Sequence, residues 1–244
     1  MIKIGDLKYL VVGLPRSGTT YMARLLASVN VMCGHESIFT PNGLEEAKNK
    51  ILYGQRISTS LVSNINVLEN QKYDDWFDPE KIQAESSYMA APYLNDECII
   101  DSKIIHVVRN PLKVISSLYF DLIFFNYDQM DEWKAFVLNH LPELKLIKNE
   151  IERACYFYLC WNQMIEKSKY TKEYLLHKVE NQCNQNLIDF LKIEHPKTFF
   201  SNTTMNSWKK DRQKDITFND IPNGTIKKDF IEMSIKYGYF EKFL

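Results

Sequence analysis

The sequence predicts an α/β fold in which a central parallel sheet is covered by helices on both faces, giving three layers. Two apolar segments of strand length, residues 8–13 and 104–108, are each followed by a helical pattern. Strands that alternate with helices along a chain are typical of parallel sheets. The length of 244 residues and a hydrophobic content of 45% suit one large core, so we predict a single domain over residues 1–244.

The first elements follow from apolar spacing. Residues 8–13 predict a buried strand, and Gly18 to Val29 predict a helix. The apolar residues of that helix recur at intervals of three and four: Met22, Leu25, Leu26 and Val29. Residues 31–33 predict a short second strand, and residues 44–85 predict helices and loops covering one side of the sheet.

The second half of the chain begins with a clear strand over residues 104–108. Asn110 and Pro111 then predict a helix start, since Asn is a favoured N-cap and Pro a favoured first helical residue. The apolar side of this helix consists of Val114, Ile115, Leu118 and Tyr119. The remaining predicted elements are a helix over 143–168, a strand over 173–179, a surface loop over 201–225 and a helix over 226–237.

Composition excludes several classes of function. A net charge of −1 argues against a protein that binds nucleic acids or membrane surfaces by charge. The five cysteines are odd in number and form no CxxC pair, which argues against a metal site and a disulfide framework. We find neither a signal-peptide pattern nor an apolar run long enough to span a membrane. We therefore expect a cytoplasmic protein.

The first strand leads into a phosphate-binding loop with one position changed. Gly13, Gly18 and Thr20 have the spacing of the P-loop of nucleoside triphosphatases, but Thr19 stands where that motif has Lys. The loop amides and the helix N-terminus can still hold an anion. The ammonium group that reaches the β- and γ-phosphates is missing. The loop therefore favours a nucleotide with a single 5′-phosphate that carries a reactive group.

Two arginines follow strand ends. Arg16 and Arg109 come just after the first and second clear strands, and ligands of parallel sheets bind at the carboxyl ends of strands. We expect both to face one crevice, although a surface salt bridge would also account for Arg109. Ser116 or Ser117, on the following helix, could face the same ligand. The distance from Asn110 to Ser117 is roughly 10 Å along a helix, which a long arginine side chain can largely cover.

A carboxylate follows the second predicted strand. Glu36 ends the segment Cys33-Gly34-His35-Glu36 and is placed at the same edge of the sheet as Arg16. A general base is one interpretation, and an ordinary surface carboxylate is the other. His35 also has two interpretations, a catalyst or a structural residue, and the second is the more common role of a lone histidine. The remaining histidines are interpreted as structural in the same way.

Together these residues resemble the sulfotransferases that use 3′-phosphoadenosine 5′-phosphosulfate. The segment from Pro15 to Thr20 is similar to the family's 5′-phosphosulfate loop, in the version with Arg found in tyrosylprotein and some bacterial sulfotransferases. Arg109-Asn110-Pro111, with Ser117 eight residues after the Arg, resembles the family's 3′-phosphate motif and selects Ser117 over Ser116. Cys33-Gly34-His35-Glu36 resembles the Cys-Gly-Glu-Glu segment of tyrosylprotein sulfotransferases, whose second Glu is the catalytic base.

The resemblance implies a role for each of these residues. The 5′-phosphate would be held by the loop, by Arg16, Ser17, Gly18, Thr19 and Thr20. Arg16 would also act in catalysis with Glu36 as the general base, while Arg109 and Ser117 would hold the 3′-phosphate. No metal is implied. With no signal segment, the expected acceptor is a hydroxyl group of a small molecule, lipid or saccharide.

Two other functions are compatible with the sequence. The first is a nucleotide or small-molecule kinase with a degenerate P-loop, which would need an acidic magnesium ligand such as Asp101. The second is a non-catalytic relative that kept the nucleotide site and lost turnover.

Overall fold

The computed structural model describes residues 7–52, 82–99, 101–120, 132–194 and 215–240 of the chain. Its strands are β1 (Tyr9–Gly13), β2 (Cys33–His35), β3 (Ala84–Ser86), β4 (Lys103–Val108) and β5 (Tyr174–Lys178). Within the described ranges they form one parallel sheet in the order β2-β3-β1-β4-β5. The predicted class, an α/β fold with a central parallel sheet, is confirmed.

The described helices connect and cover these strands. They are α1 (Thr19–Ser28), α2 (Leu44–Leu52), α3 (Pro111–Phe120), α4 (Glu132–His140), α5 (Glu150–Glu166), α6 (Gln185–Leu191) and α7 (Thr225–Lys236). Alternate residues of β1 point to opposite faces of the sheet. Leu10 and Val12 pack in one apolar core, whereas Tyr9 and Val11 pack in a second core that contains residues of α1 and α6. The sheet therefore separates two apolar layers, as a three-layer fold requires.

The strand order places a crevice at the carboxyl end of β1. The chain adds β2 and β3 on one side of β1 and then crosses to add β4 and β5 on the other side. Within the sheet, Val11 of β1 pairs with Ser86 of β3 and with Ile105 of β4. β1 connects to β2 on one side of the sheet, whereas its neighbour β4 connects to β5 on the other, and a ligand-binding crevice opens at such a switch point. The loop after β1 lies at this position.

Most element predictions agree with the structure. The predicted strands 8–13, 104–108 and 173–179 correspond to β1, β4 and β5, and the final predicted helix corresponds to α7. The predicted cap of α3 is also present, because Asn110 Oδ1 accepts a hydrogen bond of 3.2 Å from the Lys113 amide. Local apolar patterns and capping residues were sufficient for these elements.

Two predicted boundaries are wrong. The second strand begins at Cys33 rather than at residue 31, because the Val31 amide still donates to the Leu26 carbonyl and completes the end of α1. The helix predicted over 143–168 begins only at Glu150. Asn149 caps it there, accepting a 3.0 Å hydrogen bond from the Glu152 amide through Oδ1.

Two long predicted segments contain elements that the sequence did not indicate. The range 44–85 contains a helix, α2, as predicted, but its last residues belong to a strand, β3. Its residues 53–81 lie outside the described part of the chain. Of the predicted loop 201–225, residues 201–214 also lie outside it. The described remainder contains a 3₁₀ turn at Phe218–Asp220 next to two buried side chains, Ile216 and Ile221, so it is partly a core segment.

No helix in the described ranges is both long enough and apolar enough to cross a membrane.

Candidate functional site

The loop between β1 and α1 is a tight turn. The Ser17 amide donates a 3.0 Å hydrogen bond to the Leu14 carbonyl, and Arg16 and Gly18 adopt left-handed φ angles of 73° and 104°. Gly18 occupies the N-cap position of α1 and has no side chain that could cap the helix. The first amides of α1 and the helix dipole are therefore directed at whatever occupies the loop, which favours an anion.

Gly18 also makes a close contact. A Cβ atom at this position would lie 2.8 Å from Cγ2 of Val179, in the segment that follows β5. Both the left-handed φ and this contact require glycine. The loop is thus held against the carboxyl end of β5 as well as that of β1.

The structure brings the two predicted arginines and one serine together. Arg16 Nε donates a 2.8 Å hydrogen bond to Ser117 Oγ, and Arg109 Nη1 lies 3.3 Å from the Arg16 carbonyl oxygen, to which it donates. The two arginine motifs are about ninety residues apart in the sequence and meet because β1 and β4 are adjacent parallel strands. Both of them reach one crevice.

Two positive charges share this crevice. Burial lowers the pKa of the Arg109 guanidinium below its usual value, and the charge of Arg16 lowers it further. The Glu180 carboxylate acts in the opposite direction. A bound anion would offset both the loss of hydration and the repulsion between the two guanidinium groups.

The neighbouring serines of α3 have different environments. Ser116 Oγ donates to the Leu112 carbonyl at 2.8 Å and accepts from the Ile216 amide at 2.9 Å, so its hydroxyl serves the packing of the chain. Ser117 Oγ accepts from Arg16, which leaves the hydroxyl hydrogen able to donate to a ligand. Helical spacing left the choice open, and the hydrogen bonds separate the two.

Glu36 lies just after β2, at the same edge of the sheet as the loop. Its φ angle of 52° is left-handed, its amide donates to the Ser86 carbonyl at 3.2 Å, and its side chain is 18% exposed. The interpretation as a surface carboxylate is therefore wrong. Burial, and secondarily the nearby Glu85, raise the pKa of Glu36 to about 8. A carboxylate with so high a pKa is an effective proton acceptor once it is ionised.

A second carboxylate supports the segment that carries Glu36. Glu85, on β3, is fully buried. It accepts hydrogen bonds from the Ser37 amide and hydroxyl, both at 2.7 Å, and from the Ile38 amide at 3.0 Å. These contacts fix the chain immediately after Glu36. Sequence reasoning missed Glu85 because β3 has three residues and two of them are polar, which gives no periodic signal.

His35 contacts the loop threonines. Its Nε2 atom lies 3.1 Å from Thr20 Oγ1 and 3.4 Å from Thr19 Oγ1. Burial lowers the pKa of His35 to about 4, with a further contribution from Arg24, so the imidazole is neutral near pH 7. These contacts place His35 beside the predicted phosphate loop.

His106, by contrast, is a structural residue, in agreement with the sequence interpretation. It is fully buried on β4, with Nδ1 2.6 Å from the Tyr174 hydroxyl and Nε2 2.8 Å from Asn162 Oδ1. Because an amide oxygen only accepts, Nε2 carries the hydrogen and Nδ1 accepts from Tyr174. Both ring nitrogens are used inside the core.

The chain after β5 closes the Arg109 side of the crevice. Glu180 accepts from the Asn110 amide at 3.1 Å and from the Tyr239 hydroxyl at 2.5 Å. Lys178 lies 4.9 Å from the centre of the Tyr239 ring and donates to the Gly238 carbonyl at 2.9 Å. Tyr239 is separated from Arg109 by well over a hundred residues, and no local pattern in the sequence predicts their association.

Among the described residues, no group of three or more His, Cys, Asp or Glu side chains is arranged to hold a metal ion. Asp101, the predicted magnesium ligand of a kinase, is exposed and precedes β4. It therefore lies at the opposite edge of the sheet from the loop.

Comparison with known proteins agrees with this geometry. A family model described as a sulfotransferase domain matches residues 6–142. The match covers more than half of the chain and includes Arg16, Glu36, Arg109 and Ser117. No individual curated protein matches the sequence significantly. The family match, on a parallel sheet with the phosphate-loop arrangement after β1, shows that the chain belongs to the sulfotransferase family.

Proposed function

We propose that this protein transfers a sulfuryl group from 3′-phosphoadenosine 5′-phosphosulfate to a hydroxyl group of an acceptor. The observation that carries the proposal is the contact between the two arginine motifs. Arg16 Nε reaches Ser117 Oγ at 2.8 Å, and Arg109 Nη1 reaches the Arg16 carbonyl at 3.3 Å. One crevice therefore offers two cationic groups to a nucleotide that carries two phosphates. Arg16 would face its 5′-phosphate and Arg109 its 3′-phosphate.

The groups around the crevice fit such a nucleotide chemically. The loop supplies the amides at the start of α1, the hydroxyls of Thr19 and Thr20 and the guanidinium of Arg16. Arg109 and Ser117 supply a second cation and a hydroxyl donor, both in contact with Arg16. Phosphate and sulfate oxygens accept hydrogen bonds from donors of these kinds. A guanidinium group can bind two such oxygens at once with paired hydrogen bonds.

The residues of the crevice have distinct roles in the proposed reaction. Thr19, Thr20 and the loop amides hold the 5′-phosphate, while Arg109 and Ser117 hold the 3′-phosphate. Arg16 stabilises the negative charge that grows on the oxygen between phosphorus and sulfur as that S–O bond breaks. Positioning and charge stabilisation of this kind supply most of the catalysis in the related transfer of phosphoryl groups.

Glu36 completes the reaction as the general base. The acceptor oxygen forms a new bond to sulfur, and its proton passes to the Glu36 carboxylate, so that the products are the sulfated acceptor and 3′-phosphoadenosine 5′-phosphate. The support for this role is the position of Glu36 beside the loop, its low exposure of 18% and its pKa of about 8. The acceptor, a hydroxyl of a small molecule, lipid or saccharide, and the cytoplasmic location rest on the sequence alone.

Neighbouring serines provide a test of the nucleotide site. We expect Ser117→Ala to weaken the binding of 3′-phosphoadenosine 5′-phosphate by about tenfold, since it removes one hydrogen bond to an anion. Ser116→Ala should leave this affinity unchanged. It should instead lower the free energy of unfolding by about 1–2 kcal/mol, because the Ile216 amide would lose its acceptor.

Calorimetric titration and chemical denaturation of both variants measure the two effects. Equal losses of nucleotide affinity in the Ser116 and Ser117 variants would contradict the assignment of Ser117.

The kinase alternative is disfavoured by the position of Asp101, which precedes β4 and lies across the sheet from the loop. Thr19 at the lysine position argues in the same direction. The non-catalytic alternative predicts tight nucleotide binding and no transfer to any acceptor offered.

The deciding experiment is a thermal-shift titration with 3′-phosphoadenosine 5′-phosphate, beside ADP and ATP with Mg²⁺. A ligand at one hundred times its Kd adds about 2.7 kcal/mol of stability, which gives a clear shift in Tm. We expect stabilisation by the 3′-phosphorylated nucleotide and little by the others. Stabilisation by ATP with Mg²⁺ alone would overturn the proposal in favour of a kinase.

A further inference from the structure

His35 stands between the phosphate loop and the proposed base, and it matches no residue of the motifs described above. Its Nε2 atom lies 3.1 Å from Thr20 Oγ1, 3.4 Å from Thr19 Oγ1 and 3.9 Å from Glu36 Oε1. The last distance is too long for a hydrogen bond, whereas the first is well within range. His35 therefore interacts with the threonines of the loop.

The direction of the hydrogen bond follows from the chemistry of the ligand. An ionised phosphate oxygen only accepts hydrogen bonds, so a threonine that binds it must donate its single hydroxyl hydrogen. The same hydroxyl can then only accept from its other neighbour. A neutral imidazole with its hydrogen on Nε2 provides the matching donor to Thr20.

The opposite tautomer would have the opposite effect. If Nε2 carried no hydrogen, it would accept the Thr20 hydroxyl hydrogen and turn it away from the loop. The state of one ring nitrogen thus decides whether the threonine presents a donor or a lone pair to an anion.

We infer that His35 is a positioning residue whose Nε2–H orients the Thr20 hydroxyl, and to a lesser degree that of Thr19, to donate to the 5′-phosphate. The inference rests on the proposed function, because it requires an anionic 5′-group in the loop. Burial keeps the imidazole neutral, with a pKa of about 4, so the arrangement does not depend on pH in the neutral range.

The test is a double-mutant cycle of His35→Leu and Thr20→Val, with the affinity for 3′-phosphoadenosine 5′-phosphate as the readout. Leucine has a similar size and no donor. We expect His35→Leu to weaken binding roughly fivefold in the wild-type background, as one hydrogen bond is lost. In the Thr20→Val background the same substitution should change the affinity less than about twofold, because the hydroxyl that it orients is absent.

Two further measurements separate positioning from a general structural effect. His35→Gln, whose side-chain amide can donate from a similar position, should recover most of the affinity. His35→Leu should also weaken the binding of AMP and of 3′-phosphoadenosine 5′-phosphate by the same factor, because the effect is confined to the 5′-phosphate. Circular dichroism and Tm verify that each variant is folded.

The outcomes are distinct. Equal effects of His35→Leu in both backgrounds, or no recovery with glutamine, would overturn the role of His35 while leaving the proposed function intact. Failure of the folded wild-type protein to bind 3′-phosphoadenosine 5′-phosphate would overturn the proposed function, and this inference with it.

Discussion

A Glu36→Gln variant should lose most of its turnover while binding the nucleotide as well as the wild type does. Glutamine keeps the shape of the side chain but cannot accept the acceptor's proton, and a positioned base typically contributes about 10²–10⁴-fold to the rate. Sulfuryl transfer measured with labelled donor, together with calorimetric affinity for 3′-phosphoadenosine 5′-phosphate, tests both parts. Glu45→Gln, which alters an 84% exposed carboxylate, is the matched control.

The same substitution should stabilise the fold. Because the pKa of Glu36 rises from 4.5 in the unfolded chain to about 8 in the folded protein, the folded state binds more protons between these values. Below pH 4.5 Glu36 is protonated in both states, so its ionisation costs the wild type no stability relative to the glutamine variant. As the pH rises from 4.5 toward 8, the free energy of unfolding of the wild type decreases relative to that of the variant. With about 1.4 kcal/mol for each pKa unit, the difference reaches a few kcal/mol near neutral pH.

Thermal unfolding of both proteins across pH 4–9 measures this difference, and wild-type kcat/KM should rise with pH toward a plateau above about 8. A glutamine variant that turns over at a near-normal rate would remove Glu36 from the role of base. An unchanged Tm difference across the pH range would show that its carboxyl is not held in its neutral form.

Replacing Arg109 with alanine should separate the two phosphate sites. We expect affinity for 3′-phosphoadenosine 5′-phosphate to fall by about tenfold to a hundredfold, since a hydrogen bond to a charged group is worth about 1.5–3 kcal/mol. Affinity for AMP, which lacks the 3′-phosphate, should change little. Arg109 is partly buried and is repelled by the nearby Arg16 charge, and a bound anion would offset both costs, so we expect a large effect.

Lys113→Ala is the control for Arg109, because Lys113 is an exposed cation on α3, the helix that follows Arg109. It should leave both affinities unchanged. If Arg109→Ala weakened AMP and the 3′-phosphorylated nucleotide equally, Arg109 would be acting through the loop, to whose Arg16 carbonyl it donates, and not through the 3′-phosphate.

The parts of the fold that the sequence predicted are those with a local signal. The strand before Gly13, the capped start of α3 at Asn110 and the position of Arg16 and Arg109 at strand ends can all be inferred from a few adjacent residues. The convergence of the two arginines followed from the rule that ligands bind at the carboxyl ends of parallel strands.

The missed parts depend on contacts that are distant in sequence. Glu85 belongs to a strand too short to show periodicity, and its function is visible only once Ser37 lies against it. Tyr239 reaches Glu180 only after α7 has packed against α5. His35 occupies a single position in a three-residue strand, and its relation to Thr20 depends on the pairing of β2 beside β3.

The two proposed catalytic residues, Arg16 and Glu36, both have a left-handed backbone conformation, which glycine adopts without strain. Their φ angles of 73° and 52° cost about 1–2 kcal/mol for most side chains, and glycine would relieve that cost. In a scan that scores cellular abundance and sulfuryl transfer separately, Arg16→Gly and Glu36→Gly should therefore give neutral or raised abundance with abolished activity. Selection for activity would therefore maintain Arg16 and Glu36 although glycine would make the fold more stable. In a descendant that no longer needs the activity, we expect these two side chains to be among the first replaced.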